Sequence, residues 1–167
     1  MNPEIPTVDW STWTPTMRAT LLFVRRGDEL LLIRKKRGLG AGKINAPGGR
    51  IEPGETAAEC AIREVIEELG VTALAVDERG ELSFQFVDGL ALHVRVFMAD
   101  RFTGDPVETD EAIPLWTPVH AIPFDEMWAD DRVWMPALLA GQRFALRAIF
   151  DGDAMLDHAL ELDLDRA

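Results

Sequence analysis

Glu64, Glu67 and Glu68 stand at i, i+3 and i+4, a spacing that puts all three carboxylates on one face of a 3.6-residue helix. Like charges so placed repel by roughly a few tenths of a kcal/mol per pair in water, so a helix that keeps them has a cation to hold. Carboxylate oxygens suit a hard divalent ion, magnesium above all, which keeps several waters and is bound together with substrate phosphates. Arg63 lies four residues from both Glu59 and Glu67. It can pair with either and hold a metal ligand in one rotamer.

A second constellation lies downstream. Trp128 and Trp134 flank the adjacent Asp130 and Asp131. Aromatic faces stack nucleobases at about 1–3 kcal/mol per base, and carboxylates beside such a platform accept hydrogen bonds from the N–H groups of a base edge. If both aspartates approach one edge in an apolar pocket, repulsion and desolvation raise one of their pKa values. One protonated and one ionised carboxylate would let a single pocket take a guanine-like or an oxidised adenine-like edge. The same residues also read as a helix cap at Asp130 and a solvated charge at Asp131.

The elements that must position these groups are legible as patterns. Ala58, Ala61, Ile62, Val65 and Leu69 form an apolar stripe opposite the glutamates, ready to pack on a sheet. Glu55 and Thr56 suit the helix start, and Gly70 suits its end. Thr20 to Val24 and Leu30 to Ile33 read as a strand hairpin turning at Gly27-Asp28. Phe84 to Val87 and Leu90 to Phe97 flank Asp88-Gly89; Phe144 to Phe150 and Leu156 to Leu164 flank Asp151-Gly152, with Leu160, Leu162 and Leu164 alternating. Ile113 to Thr117 reads as a strand, and Pro136 to Ala140 as a short helix ended by Gly141. Interleaved strands and helices give a mixed α/β class. Residues 1 to 15, with three prolines, are expected as a flexible tail, and 16–167 as one domain.

Composition narrows the function. A formal net charge of −12 over 167 residues repels polynucleotide backbones, so no polynucleotide partner is expected; a metal-bound nucleotide is compatible. No run approaches a membrane span, and the N-terminus lacks the apolar core of a signal peptide. Cys60 is the only cysteine, which excludes an intrachain disulfide and points to a reducing cytoplasm; a buried structural role suits it. Gly38-Leu39-Gly40-Ala41-Gly42-Lys43 fails the Walker spacing and lacks Ser or Thr after the lysine. It reads as a flexible loop beside the site, with Lys43 a candidate phosphate contact. His93, His120 and His158 show no metal-ligand spacing.

Gly49, five residues, Glu55, seven residues, then Arg63-Glu64-Val65-x-Glu67-Glu68-x-Gly70-Val71 matches the Nudix box at every defined position. The resemblance implies a Nudix fold, a mixed sheet sandwiched between helices, and hydrolysis of a nucleoside diphosphate linked to another group with magnesium, manganese being able to substitute. From about Thr20 to Leu162 the chain further resembles the MutT-homologue oxidised purine nucleoside triphosphatases. That likeness runs through Lys35-Lys36-Arg37-Gly38-x-Gly40-Ala41-Gly42-Lys43-x-Asn45, Pro106-Val107-Glu108-x-Asp110-Glu111 and Ile122-Pro123-Phe124-x-x-Met127-Trp128-x-Asp130-Asp131-x-x-Trp134. It implies that Asn45, Asp130 and Asp131 hydrogen-bond the purine and that Trp128 stacks on it. Thr20, Lys35, Phe84, Phe86, Leu92 and Trp134 would line the pocket. Glu111 and Gly48 would join Glu64, Glu67 and Glu68 at the metal, with Arg63 supporting them and Glu67 or Glu111 taking the proton.

Leu39 and Leu92 stand where that family carries an aromatic residue and a methionine, and Ile44-Asn45-Ala46-Pro47 replaces a Trp-Asn-Gly-Phe pattern. The implied activity is cleavage of 8-oxo-dGTP or 2-hydroxy-dATP to monophosphate and pyrophosphate by a cytoplasmic monomer, sanitising the nucleotide pool in the service of DNA repair. The alternatives are a Nudix enzyme for ADP-ribose or a dinucleoside polyphosphate, and a non-catalytic nucleotide sensor.

Overall fold

β1 (Met17–Arg26) and β2 (Glu29–Lys35) alternate their side chains between two cores. Leu22, Val24, Leu31 and Ile33 point to one, Phe23, Leu30 and Leu32 to the other, and all seven are almost fully excluded from solvent. Removing such a side chain from water contributes roughly 1.5–3 kcal/mol, which pins the strand register because a one-residue slip would exchange the faces. The first core is capped by α1 (Ala57–Leu69), which buries Ala57, Cys60, Ala61, Val65 and Leu69. The second is capped by α2 (Asp131–Leu139), which buries Trp134, Met135, Ala137 and Leu138. This computed structural model describes residues 4–163, so Leu164, expected to continue an alternating strand, lies outside the described residues.

A nine-stranded mixed sheet runs between the helices. Its remaining strands are β3 (Ile44–Asn45), β4 (Gly48–Arg50), β6 (Asp77–Phe86), β7 (Ala91–Ala99), β9 (Ala112–Pro118), β10 (Arg143–Asp151) and β11 (Ala154–Asp163); β5 (Thr72–Leu74) and β8 (Arg101–Thr103) form a separate pair. β1 is parallel to β7, and β10 is parallel to β6. One feature of β1 positions the site. It pairs with β2 only from Val24↔Leu31 to Arg26↔Glu29, after which the two strands splay. The segment 44–50 wedges into the split: β3 pairs with Ile33 and Arg34 on β2, and β4 pairs with Ala19, Thr20 and Leu21 on β1. At the apex the Leu22 N–H donates to the Pro47 carbonyl at 2.9 Å. Asn45 and Gly48 are thereby held at the mouth of the opened sheet.

The three expected hairpins and the strand near Ile113 are present. The helix expected over Pro136–Ala140 is longer, Asp131–Leu139, with Pro136 inside it. The missing N–H removes only the bond to the Arg132 carbonyl, and burial of Trp134 and Met135 outweighs that loss. Part of the segment expected as a tail makes contacts: Trp13 Nε1 donates to Gln85 Oε1 at 2.9 Å.

Candidate active site

The start of α1 decides which partner Arg63 takes. Thr56 is the N-cap; its hydroxyl accepts the Glu59 N–H at 3.1 Å, while the Glu59 carboxylate accepts the Thr56 N–H at 2.9 Å. This reciprocal capping box occupies Glu59, and of the two partners open to Arg63 by spacing it is Glu67 that is taken. Arg63 donates to Glu55 at 2.6 Å, Glu64 at 2.9 Å, Glu67 at 3.1 Å and the Arg50 carbonyl at 3.2 Å. The guanidinium's hydrogen bonds hold the Glu55 carboxyl down at about 2. Gly49 lets β4 pass against the helix: a Cβ there would stand 2.4 Å from the Glu64 carboxyl carbon.

Glu64, Glu68 and Glu111 bring one oxygen each within 4.8 Å of the others. Glu68 is buried and accepts the Gly48 N–H at 3.0 Å. Burial, and then the Glu64 charge, push its pKa up to about 8 against the opposing pull of that N–H. Burial also raises Glu64, with Arg63 opposing. Glu67 stays outside the trio, exposed and held by Arg63. A carboxylate that prefers a proton near neutrality, with two more beside it, is a site that a hard divalent cation would stabilise in the proton's place.

Glu68 also borders a cavity of about 360 Å³ whose wall includes Lys35, Asn45, Trp128, Asp130 and Asp131. Both aspartates are only 3% exposed. Asp130 Oδ2 accepts the Trp134 Nε1–H at 2.8 Å, whereas Asp131 Oδ2 is buried without a hydrogen-bond partner. Asp130 occupies the N-cap position of α2 but makes no capping bond, which removes the helix-cap reading of its side chain. Burial raises both pKa values, and the neighbouring Asp130 charge raises Asp131 further. Asn45 Oδ1 accepts the Ala46 N–H at 2.9 Å, leaving its amide N–H groups as the donors available to a ligand.

Residues 15–138 match the NUDIX domain family. The chain belongs to that family. It is 41% identical over 144 residues to the oxidized purine nucleoside triphosphate hydrolase of Danio rerio, covering 85% of this chain and 92% of that one. It is 39% identical over 143 residues to the protein of the same name from Mus musculus, covering 84% and 92%. A crystal structure of a MutT protein from Bacillus halodurans superposes with a TM-score of 0.78 at 26% identity, covering 87% of this chain and 97% of that one.

On this Nudix scaffold, Phe84, Phe86 and Leu92 stand on the cavity wall together with Leu39. Thr20 borders the cavity, but its hydroxyl lies 3.3 Å from Cys60 Sγ. Trp134 does not line the cavity. It is fully buried behind it, stacked on Phe144 and bonded to Asp130. Lys43, the candidate phosphate contact, does not line the cavity; it lies over the Trp128 ring at 5.2 Å and meets Asp153 at 3.4 Å. The sequence reading missed Phe150, Met17 and Arg50 on the wall. The signal for Phe150 was available: Phe144, Leu146, Ala148 and Phe150 share one strand face.

Proposed function

We propose that this Nudix hydrolase cleaves oxidised purine nucleoside triphosphates, such as 8-oxo-dGTP and 2-hydroxy-dATP, to the monophosphate and pyrophosphate, and so clears them from the nucleotide pool. The observation that carries the reading is the unpartnered Asp131 oxygen beside Asp130 on the cavity that Glu68 also borders. A purine edge with adjacent N–H donors relieves that buried acceptor, and the stack on Trp128 orients it. The names of the two 39–41% identical relatives agree.

Glu64, Glu68 and Glu111, joined by Glu67 and the Gly48 carbonyl, would hold magnesium, or manganese in its place. When bound, the metal neutralises triphosphate charge and acidifies a water. Arg63 holds Glu64 in one rotamer. Glu67 or Glu111 accepts the proton of the attacking water. Lys35, without a carboxylate partner among the described residues, adds positive charge at the wall. Both halves of the site open onto a cavity within one chain, which supports a monomeric enzyme. The lone Cys60 supports a reducing, cytoplasmic setting, and no helix among the described residues is long and apolar enough to cross a membrane.

Pyrophosphate release from a panel of 8-oxo-dGTP, 2-hydroxy-dATP, dGTP, ADP-ribose and a dinucleoside polyphosphate tests the assignment. The two oxidised purines should lead in kcat/KM; faster turnover of ADP-ribose would overturn it.

A further inference from the structure

Trp128 is held by four contacts from three separate parts of the chain. Phe86 and Phe150 meet its ring edge-to-face, at centroid distances of 6.3 and 5.8 Å. The glycine-rich loop passes its pyrrole edge so closely that a Cβ at Gly40 would lie 2.8 Å from Nε1. Lys43 places its Nζ 5.2 Å from the ring centroid, and Asp153, in the turn between β10 and β11, takes that ammonium at 3.4 Å. Trp128 belongs to the cavity wall, whereas Lys43 and Asp153 do not. The cation thus lies over the indole without itself lining the cavity.

We infer that Lys43 and Asp153 form a strap on Trp128 that fixes the stacking wall of the purine pocket, which makes both of them positioning residues for substrate selection. An exposed ion pair by itself stabilises a fold little. This one restrains a cation lying against an aromatic face, an arrangement that gains when the cation is held in place. A stacking surface that is already immobile loses less freedom when the base arrives, so the strap acts on nucleotide affinity. The glycine loop alone would leave Lys43 free to swing into water. Asp153 supplies the anchor from a hairpin that begins at Arg143, beyond the residues 15–138 matched to the family. The same hairpin contributes Phe150 to the wall. The hairpin is thus part of the base-recognition apparatus as well as the edge of the sheet.

The inference rests on the purine-hydrolase reading for its substrate and on geometry alone for the strap, and two measurements separate them. The first compares Asp153→Ala, Lys43→Ala, the double variant and Asp153→Glu with the parent on the preferred oxidised purine triphosphate and on dGTP. KM should rise about two- to fivefold in each single variant, with kcat near the parent value. The double variant should be no worse than either single, and Asp153→Glu should recover most of the loss. Additive effects, or an unchanged KM in Asp153→Ala, would overturn the strap. The second needs no ligand: acrylamide quenching of Trp128, taken as the difference between the parent and Trp128→Phe, should increase in Asp153→Ala. Equal quenching would also overturn it. If the parent turned over no oxidised purine, the substrate reading would fall and the quenching result would still decide the strap.

Discussion

The glutamate cluster of α1 reaches the cavity through its buried member Glu68, and the Asp130–Asp131 pair at the start of α2 borders the same cavity, yet the charges of the two groups are managed differently. The glutamates are tied to a cation already present: Arg63 bonds Glu55, Glu64 and Glu67. Their buried member, Glu68, retains one backbone N–H. The aspartates have no ion-pair partner among the described residues; an indole N–H serves Asp130, and Asp131 Oδ2 is left without a partner. On the proposed reading one set is neutralised by a metal and the other holds a proton or a base. A carboxylate cluster near water can recruit a counter-ion, whereas a pair sealed among apolar side chains lowers its energy chiefly by protonation.

Replacing Glu68 with Gln strikes the first set hardest. Turnover in saturating magnesium should fall on the order of 10²–10³-fold, while the thermal transition without metal should not drop, because a buried carboxyl is removed. A rate near the parent value would erase the distinction between the two groups. Next in size, Asp131→Asn presents an N–H where an acceptor stood. Preference for 8-oxo-dGTP over dGTP should shrink by roughly ten- to a hundredfold with the metal requirement unchanged; an intact preference would move base recognition elsewhere.

Stability against pH distinguishes the two groups without any substrate. Burial raises Asp130 from 3.8 to about 6 and Asp131 further. Folded-state values above the unfolded ones mean that this stability is fully present below the ordinary carboxylate range and is lost as pH rises through the raised values. Asp130→Asn or Asp131→Asn should flatten the curve. Glu68 adds a loss of the same sign through about 8. Magnesium should reverse that part alone, a separation that chemical denaturation at several pH values with and without metal would read. The smallest effect is expected of Trp134→Phe. Losing the 2.8 Å bond to Asp130 should cost about 1 kcal/mol near pH 8 and less near pH 4, where Asp130 is protonated. A pH-independent cost would assign Trp134 to packing alone.

Much of the first group was legible along the chain because a helix converts spacing directly into direction. Three glutamates at i, i+3 and i+4 must share a face, and Thr56 with Glu59 announces a capping box whether or not it is looked for. Even there, the pairing of Arg63 with Glu55 depended on Glu59 being occupied elsewhere, a competition that spacing does not reveal. Glu111 lies 43 positions from Glu68 and entered only through family resemblance; it stands just before β9, where the Lys36 N–H donates to its carbonyl at 3.0 Å and extends the β9–β2 pairing.

What the amino-acid order determined alone was local: the alternation of Phe23, Leu30 and Leu32 against Leu22, Leu31 and Ile33, the turns at Gly27-Asp28, Asp88-Gly89 and Asp151-Gly152, and the carboxylate face of α1. Each follows from a period of two or 3.6 residues or from a turn residue. Tertiary structure alone decided that β1 and β2 splay to admit residues 44–50, that Trp134 stands behind Asp130 instead of facing the cavity, and that Asp153 reaches Lys43. Those outcomes depend on which apolar faces meet and how much water they exclude, and burial is a property of the packed chain that no stretch of sequence carries by itself.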